Sequence, residues 1–164
     1  MRSTRKPKLT PEEVADPKRV RMAAVALLGR RDFCSGELRQ KLEAGGYDRS
    51  LVEEAVAELV EGKIVNDARY AENYVAYHAE RGQGPIRIAA DLRALDLPAD
   101  TIQTALDSGP DWRQKAREVR IRRFGLAEPD SWAQKAKQGR FLQYRGFSSD
   151  HIRAALGPDF DPDA

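Results

Sequence analysis

The sequence predicts an all-α protein, built as an elongated tandem array of three three-helix modules with a repeat of about 50 residues. Three observations predict it. The 164 residues include 23 Ala, more than the 19 Val, Ile and Thr together; strands draw on that β-branched set, whereas Ala, Leu, Glu, Arg and Lys favour helix. Proline and glycine fall at intervals of helical length. Apolar positions recur at a fixed offset of fifty.

The elements follow from the punctuation, in order. The first helix covers about 17–30 and contains the apolar run Met22 to Leu28. The second covers 36–44 and stops at Gly45-Gly46. The third, 49–62, opens on Asp48, whose carboxylate can accept an orphan first-turn N–H. The fourth, 68–81, follows Asp67 as N-cap and ends at Gly82. Pro85 and Pro98 start helices at 86–95 and 99–107, because a missing N–H and a fixed φ suit a first turn. Gly109 and Pro110 separate these from 111–124, and Gly125 and Pro129 precede 131–144. Ser148 caps the last helix, 149–156, and Gly157 closes it. Several of these helices have only two or three turns, so packing must hold them.

The repeat ties the helices into modules. Leu42, Tyr47, Val52 and Val56 recur as Leu92, Leu97, Ile102 and Leu106, then as Leu142, Phe147, Ile152 and Leu156. Ala55, Ala105 and Ala155 keep the same register. The residues at 52/56, 102/106 and 152/156 are i, i+4 neighbours on one helix face. The expected organisation is a basic, flexible tail at 1–19, modules at 20–66, 67–109 and 110–157, and an acidic tail at 158–164. The third module is the least regular, with Gln138 where the others have Leu38 and Ile88, and with Gly139 inside a helix.

Chemistry is sparse. No apolar run approaches the roughly 18–20 residues that cross a bilayer, and a basic stretch interrupted by Glu12, Glu13 and Asp16 does not read as a signal peptide. A cytoplasmic protein is expected. Cys34 is the only cysteine, so neither a disulfide nor a cysteine zinc cage is expected, and the thiol reads as a small core filler. His78 and His151 lie far apart and read as packing or surface histidines. Gly82-Gln83-Gly84-Pro85 lacks the ending of a phosphate loop, and no serine sits in a nucleophile elbow. The reading is of a protein that is not an enzyme and takes no cofactor or metal.

Charge is the informative feature. With 28 Lys+Arg against 26 Asp+Glu the net charge is only +2, yet Arg113, Lys115, Arg117, Arg120, Arg122 and Arg123 face only Glu118 within one helix. Lys135, Lys137, Arg140 and Arg145 continue the excess. Most charge runs are solvated helix faces, but like charges at i, i+4 weaken a helix, so a run this one-sided favours an anionic partner. Arg30, Arg31, Arg81 and Arg87 could extend the surface. Tyr70, Tyr74 and Tyr77 form a helical stripe that could stack bases but reads first as core, as do Trp112 and Trp132.

These residues also carry a resemblance. Leu27-Leu28 with Arg30-Arg31 leads to Ser35-Gly36-Glu37-Leu38, followed by Asn66-Asp67-Ala68-Arg69-Tyr70-Ala71. Next come Arg81-Gly82-Gln83-Gly84-Pro85 with Arg87-Ile88, then Tyr144-Arg145-Gly146-Phe147 with Asp150 and Ile152. In this order the set resembles the bacterial RecX proteins, all-helical modulators of the RecA recombinase, with Asp96 where that family often has Gly. The resemblance implies a protein that lies in the helical groove of the RecA filament on DNA, blocks its extension, represses ATPase activity and strand exchange in recombination and repair, and has some affinity for single- or double-stranded DNA; a monomer is expected. It assigns no catalytic residues. The alternative is a helical repeat protein that binds DNA directly, without RecA.

Overall fold

The computed structural model describes residues 7–163, and among them every regular element is helical. Ten α-helices follow in order: α1 (Pro11–Val14), α2 (Pro17–Leu28), α3 (Ser35–Ala44), α4 (Arg49–Glu61), α5 (Asp67–Glu80), α6 (Pro85–Ala94), α7 (Ala99–Asp107), α8 (Trp112–Phe124), α9 (Trp132–Arg145) and α10 (Ser149–Leu156). Nine of them match the sequence reading to within two residues at either end. The chain divides into two compact units: unit 1 runs to Tyr70 and includes Leu95–Leu97, and unit 2 comprises Ala71–Ala94 and the chain from Pro98 onward.

Unit 1 closes around Val20, Ala24, Phe33, Leu38, Leu42, Val52, Ala55, Val56 and Val65. Its helix starts are capped as local chemistry dictates. Asp16 accepts the Lys18 N–H at 3.0 Å, and Asp48 accepts those of Ser50 and Leu51. The expected basic tail begins with Arg2, Arg5 and Lys6, which lie outside the described residues. Further along it, Thr10 and Glu13 form a reciprocal capping box on α1, and the Val14 carbonyl accepts the Asp48 N–H at 3.2 Å.

Asp67 does not cap α5, as its position had suggested. Asn66, one residue earlier, accepts the Arg69 N–H, which leaves the Asp67 carboxylate free to serve α3. It accepts the Ser35 backbone N–H at 2.7 Å and the Ser35 hydroxyl at 2.6 Å. Cys34, the residue in N-cap position on α3, makes no side-chain cap of its own. A carboxylate borrowed from 32 residues away fills that role, and its charge suits a helix N-terminus.

Unit 2 packs α8, α9 and α10 around Ala116, Val119, Leu142, Phe147, Ile152, Leu156 and Phe160. The repeat is visible as burial: 42, 92 and 142 are all closed to solvent, as are 52/102/152 and 56/106/156. It is visible in the backbone as well. Gly46, Asp96 and Gly146, fifty residues apart, all have left-handed φ, at 98°, 60° and 98°. Only the first helix of the third set slips. Asp67 follows Pro17 by fifty residues, but Trp112 follows Asp67 by forty-five, and a longer connection between α8 and α9 restores the register.

The irregularities of the third set now have reasons. Gln138 is buried because Arg120 is buried beside it, and the guanidinium donates to the Gln138 side-chain oxygen and the Ala127 carbonyl. Gly139 leaves room for Phe160, whose ring atoms would lie 2.6 Å from a Cβ there. Phe160, within the expected acidic tail, is therefore a core residue, only 4% exposed.

Two expectations about aromatic residues are corrected. Tyr70 and Tyr74 are half-buried, reaching toward Glu37 and Asp91, and Tyr77 is 57% exposed. The stripe lies at the edge of the core because Ala71, Val75 and Ala79 take the inner face of α5. Trp132 is also 57% exposed and leans on Phe160 with ring centroids 5.3 Å apart. Trp112 does pack on the core, and its indole N–H donates to the Leu106 carbonyl at 3.2 Å.

Candidate partner-binding surface

The basic residues singled out in the sequence separate into two groups. In the first, the cation is spent inside its own unit. Arg31 forms a two-point bridge to Glu37, 2.6 and 3.0 Å, over the ring of Phe33. Arg113 pairs with Asp150 of α10 at 2.8 Å, and this pairing raises the arginine and lowers the carboxyl relative to their ordinary values. Lys115 is buried; burial opposes its charge, but bonds to Glu118 and Glu80 outweigh that and raise its pKa. Arg117 donates to the Ala154 carbonyl and Arg122 to that of Glu80. The sequence made this helix look one-sided because counter-charges were sought only within it, whereas α5 and α10 supply them.

The second group makes no ion pair among the described residues; Arg30, Arg81, Arg87, Arg123 and Arg140 are exposed, and Lys135 and Arg145 are half-buried. Arg30 in unit 1, and Arg87, Lys135 and Arg140 in unit 2, have no ion-pair partner among the described residues. Arg81 lies over Tyr77 and donates to its hydroxyl at 2.8 Å. Arg123 and Arg145 flank aromatic rings. Arg123 sits 5.3 Å from the centroid of Phe124 and 5.9 Å from that of Phe141, and Arg145 is 5.3 Å from Phe141. Phe124 and Phe141 meet edge to face at 5.3 Å, and Tyr144 beside them is 79% exposed.

This aromatic–arginine face was not recognised in the sequence. The available signal was α9 itself, which has two Lys and two Arg with no Asp or Glu, and which places Phe141 and Tyr144 one turn apart. Stacked guanidinium and aromatic planes on an acid-free helix can receive phosphates and unstacked bases.

The histidines are packing residues. Burial holds His78 below its usual pKa, against the Tyr74 ring at 4.0 Å. His151 closes a capping box with Ser148, its Nδ1 accepting the Ser148 N–H at 3.3 Å, and burial lowers it too. Burial pushes the Cys34 thiol up to about 11, far from a reactive thiolate. Among the described residues no cluster of three His, Cys, Asp or Glu side chains could hold a metal ion. No helix among them is long and apolar enough to cross a membrane.

Family models for the RecX three-helix domains match in chain order: the first at residues 21–59, the second at 66–106 and the third at 111–156. The chain belongs to the RecX family. It is 41% identical over 145 residues to the regulatory protein RecX of Halorhodospira halophila, spanning 88% of this chain and 90% of that one. It is also 41% identical to that of Ectopseudomonas mendocina over 142 residues, 86% and 95% of the two chains. The RecX fold is shared with solved structures. The crystal structure of RecX from Lactobacillus salivarius gives a TM-score of 0.74 at 21% identity, over 90% of this chain and 96% of that one. A second RecX crystal structure gives 0.73 at 19% identity, over 93% and 80%. The RecX relatives are named as regulatory proteins, which fits a chain whose polar clusters are structural.

Proposed function

We propose that this protein is a non-enzymatic regulator that binds the RecA filament on DNA, acting as a cytoplasmic monomer, and restrains ATPase activity, strand exchange and filament extension. Membership of the RecX family along nearly the whole chain carries this reading. The cations of the second group, Arg30, Arg81, Arg87, Arg123, Lys135, Arg140 and Arg145, are the residues offered to the acidic filament surface and the phosphates within it. Arg31, Arg113, Lys115, Arg117, Arg120 and Arg122 hold the units in shape, and their contribution to the partner is through that shape. The test is RecA's DNA-dependent ATPase with substoichiometric protein added. A fall in rate is expected; an unchanged rate at equimolar protein would refute the reading.

A second reading, direct binding of single-stranded DNA, draws on one observation: the stacked Arg123, Phe141 and Arg145 beside exposed Tyr144. It predicts DNA affinity without RecA that falls steeply as salt rises. A weak interaction indifferent to salt would remove it.

A further inference from the structure

The chain builds two related joints, in each of which a glycine near a helix start meets the turn after another helix. In unit 1 the start of α3 sits on the turn after α6. Gly36 is so close that a Cβ there would overlap the Leu95 carbonyl and lie 2.7 Å from Asp96 Cβ. The Cys34 thiol reaches the Leu95 carbonyl at 3.6 Å, and Gln40 donates to the Asp96 carboxylate at 2.8 Å. In unit 2 the start of α6 sits on the turn after α9. Gly84 and Ile86 donate their N–H groups to the carbonyls of Arg145 and Gly146 at 2.8 and 3.0 Å, and a Cβ on Gly84 would lie 2.5 Å from Phe147 N. Both receiving turns hold a left-handed residue at the equivalent repeat position, Asp96 and Gly146.

The third copy of the receiving turn is Gly45–Gly46, left-handed at Gly46. Among the described residues only the segment leading into α1 approaches it, and no helix start is seated on it. A Cβ on Gly46 would meet only Leu9 Cδ1, at 3.8 Å, and neither carbonyl accepts a backbone hydrogen bond from a described residue. Beside it opens a cleft of about 470 Å³ with Ala26, Leu27 and Tyr47 in its wall. Among the described residues its charged lining residues are Lys8, Arg30 and Lys41, all cations and none in an ion pair with another described residue.

We propose that Gly45–Gly46 and this cationic cleft form a docking socket for the first turn of a helix on a partner protein. That helix carries a glycine at its entry and acidic side chains in its first two turns. A glycine stands at the close approach in both filled joints, Gly36 in one and, two repeat positions earlier, Gly84 in the other, and a peptide with the first of these arrangements is the probe. The acidic residues meet Lys8, Arg30 and Lys41, and they suit a helix N-terminus in any case. A second copy of this chain offers no plug. Its α3 and α6 starts are already seated, and the α9 start, Ser131-Trp132-Ala133-Gln134, has neither glycine nor acid. The inference rests on the repeat and holds whichever protein is regulated.

The test titrates the full ¹⁵N-labelled chain with a synthetic peptide of residues 32–44 carrying Cys34→Ser, Arg39→Glu and Lys41→Glu. Saturable shifts of the Gly45, Gly46 and Tyr47 amides are expected, and a peptide that also carries Gly36→Val should produce none. Arg30→Glu with Lys41→Glu in the protein, both exposed positions, should weaken binding about tenfold while leaving the thermal melt in place. Any of three results overturns the socket: no saturable shift at millimolar peptide, an equal response to the Gly36→Val peptide, or shifts spread over the basic face of α9 instead. If the same amides move as the chain itself is concentrated, the occupant is a second copy and the partner assignment fails.

Discussion

Single residues carry more of this fold than their types suggest. Asp67 gives both carboxylate oxygens to Ser35, so Asp67→Ala strips the cap from α3 and leaves its first N–H unsatisfied. A loss of about 2 kcal/mol is expected in chemical denaturation, and Asp67→Asn should recover part of it. His78 and His151 make stability depend on pH. Burial lowers both below the free value of 6.5, so the folded state favours the neutral rings. Their contribution is complete above about 6.5 and declines as pH falls from there toward the lowered folded values, because the unfolded chain takes up protons first. The melting temperature should therefore drop between pH 7.5 and 5.5. His151→Gln, which can still close the capping box, should flatten the drop without lowering the value at pH 7.5. An equally steep drop in that variant would exclude His151 as a contributor.

At the scale of elements, two contacts hold α9 in place. Phe160 fills the notch left by Gly139, so Phe160→Ala should cost about 3–5 kcal/mol, read as a lower denaturation midpoint. Gly84→Ala places a methyl group against the backbone at Gly146 and should cost about 2 kcal/mol by overpacking. Helix limits were legible because caps, prolines and glycines are local signals, and the apolar positions were legible because fifty-residue spacing exposes them. Neither signal reaches Phe160, whose neighbours in sequence are all polar or proline, glycine and aspartate; only the missing side chain at 139 reveals it. The partners of Arg113 and Lys115 were hidden for the same reason. Asp150 and Glu80 lie more than thirty residues away, and nothing in a helix's own sequence records a counter-charge from another helix.

For the whole molecule, the basic residues separate into a set that holds the units together and a set without ion pairs among the described residues. Arg113→Glu would set a charge against Asp150, and its main effect should be on stability. Arg123→Glu, Arg140→Glu and Arg145→Glu together break no ion pair among the described residues, so stability should fall only by the lost ring contacts of Arg123 and Arg145, about 1–2 kcal/mol. If that second set meets phosphates, the triple variant should reduce the salt slope of DNA binding by about three. An unchanged slope would place the phosphate contacts elsewhere.

The left-handed turn at 46, 96 and 146 has a consequence for how such a chain can change over generations. A duplication or deletion in the coding sequence whose two breakpoints fall at equivalent points of that turn joins like to like. The new seam inherits a residue already able to adopt the backbone, and the flanking helices keep their phase. Length variation by one whole period is thus an inexpensive rearrangement for this architecture, whereas a cut at any other phase must repair both a core and a turn.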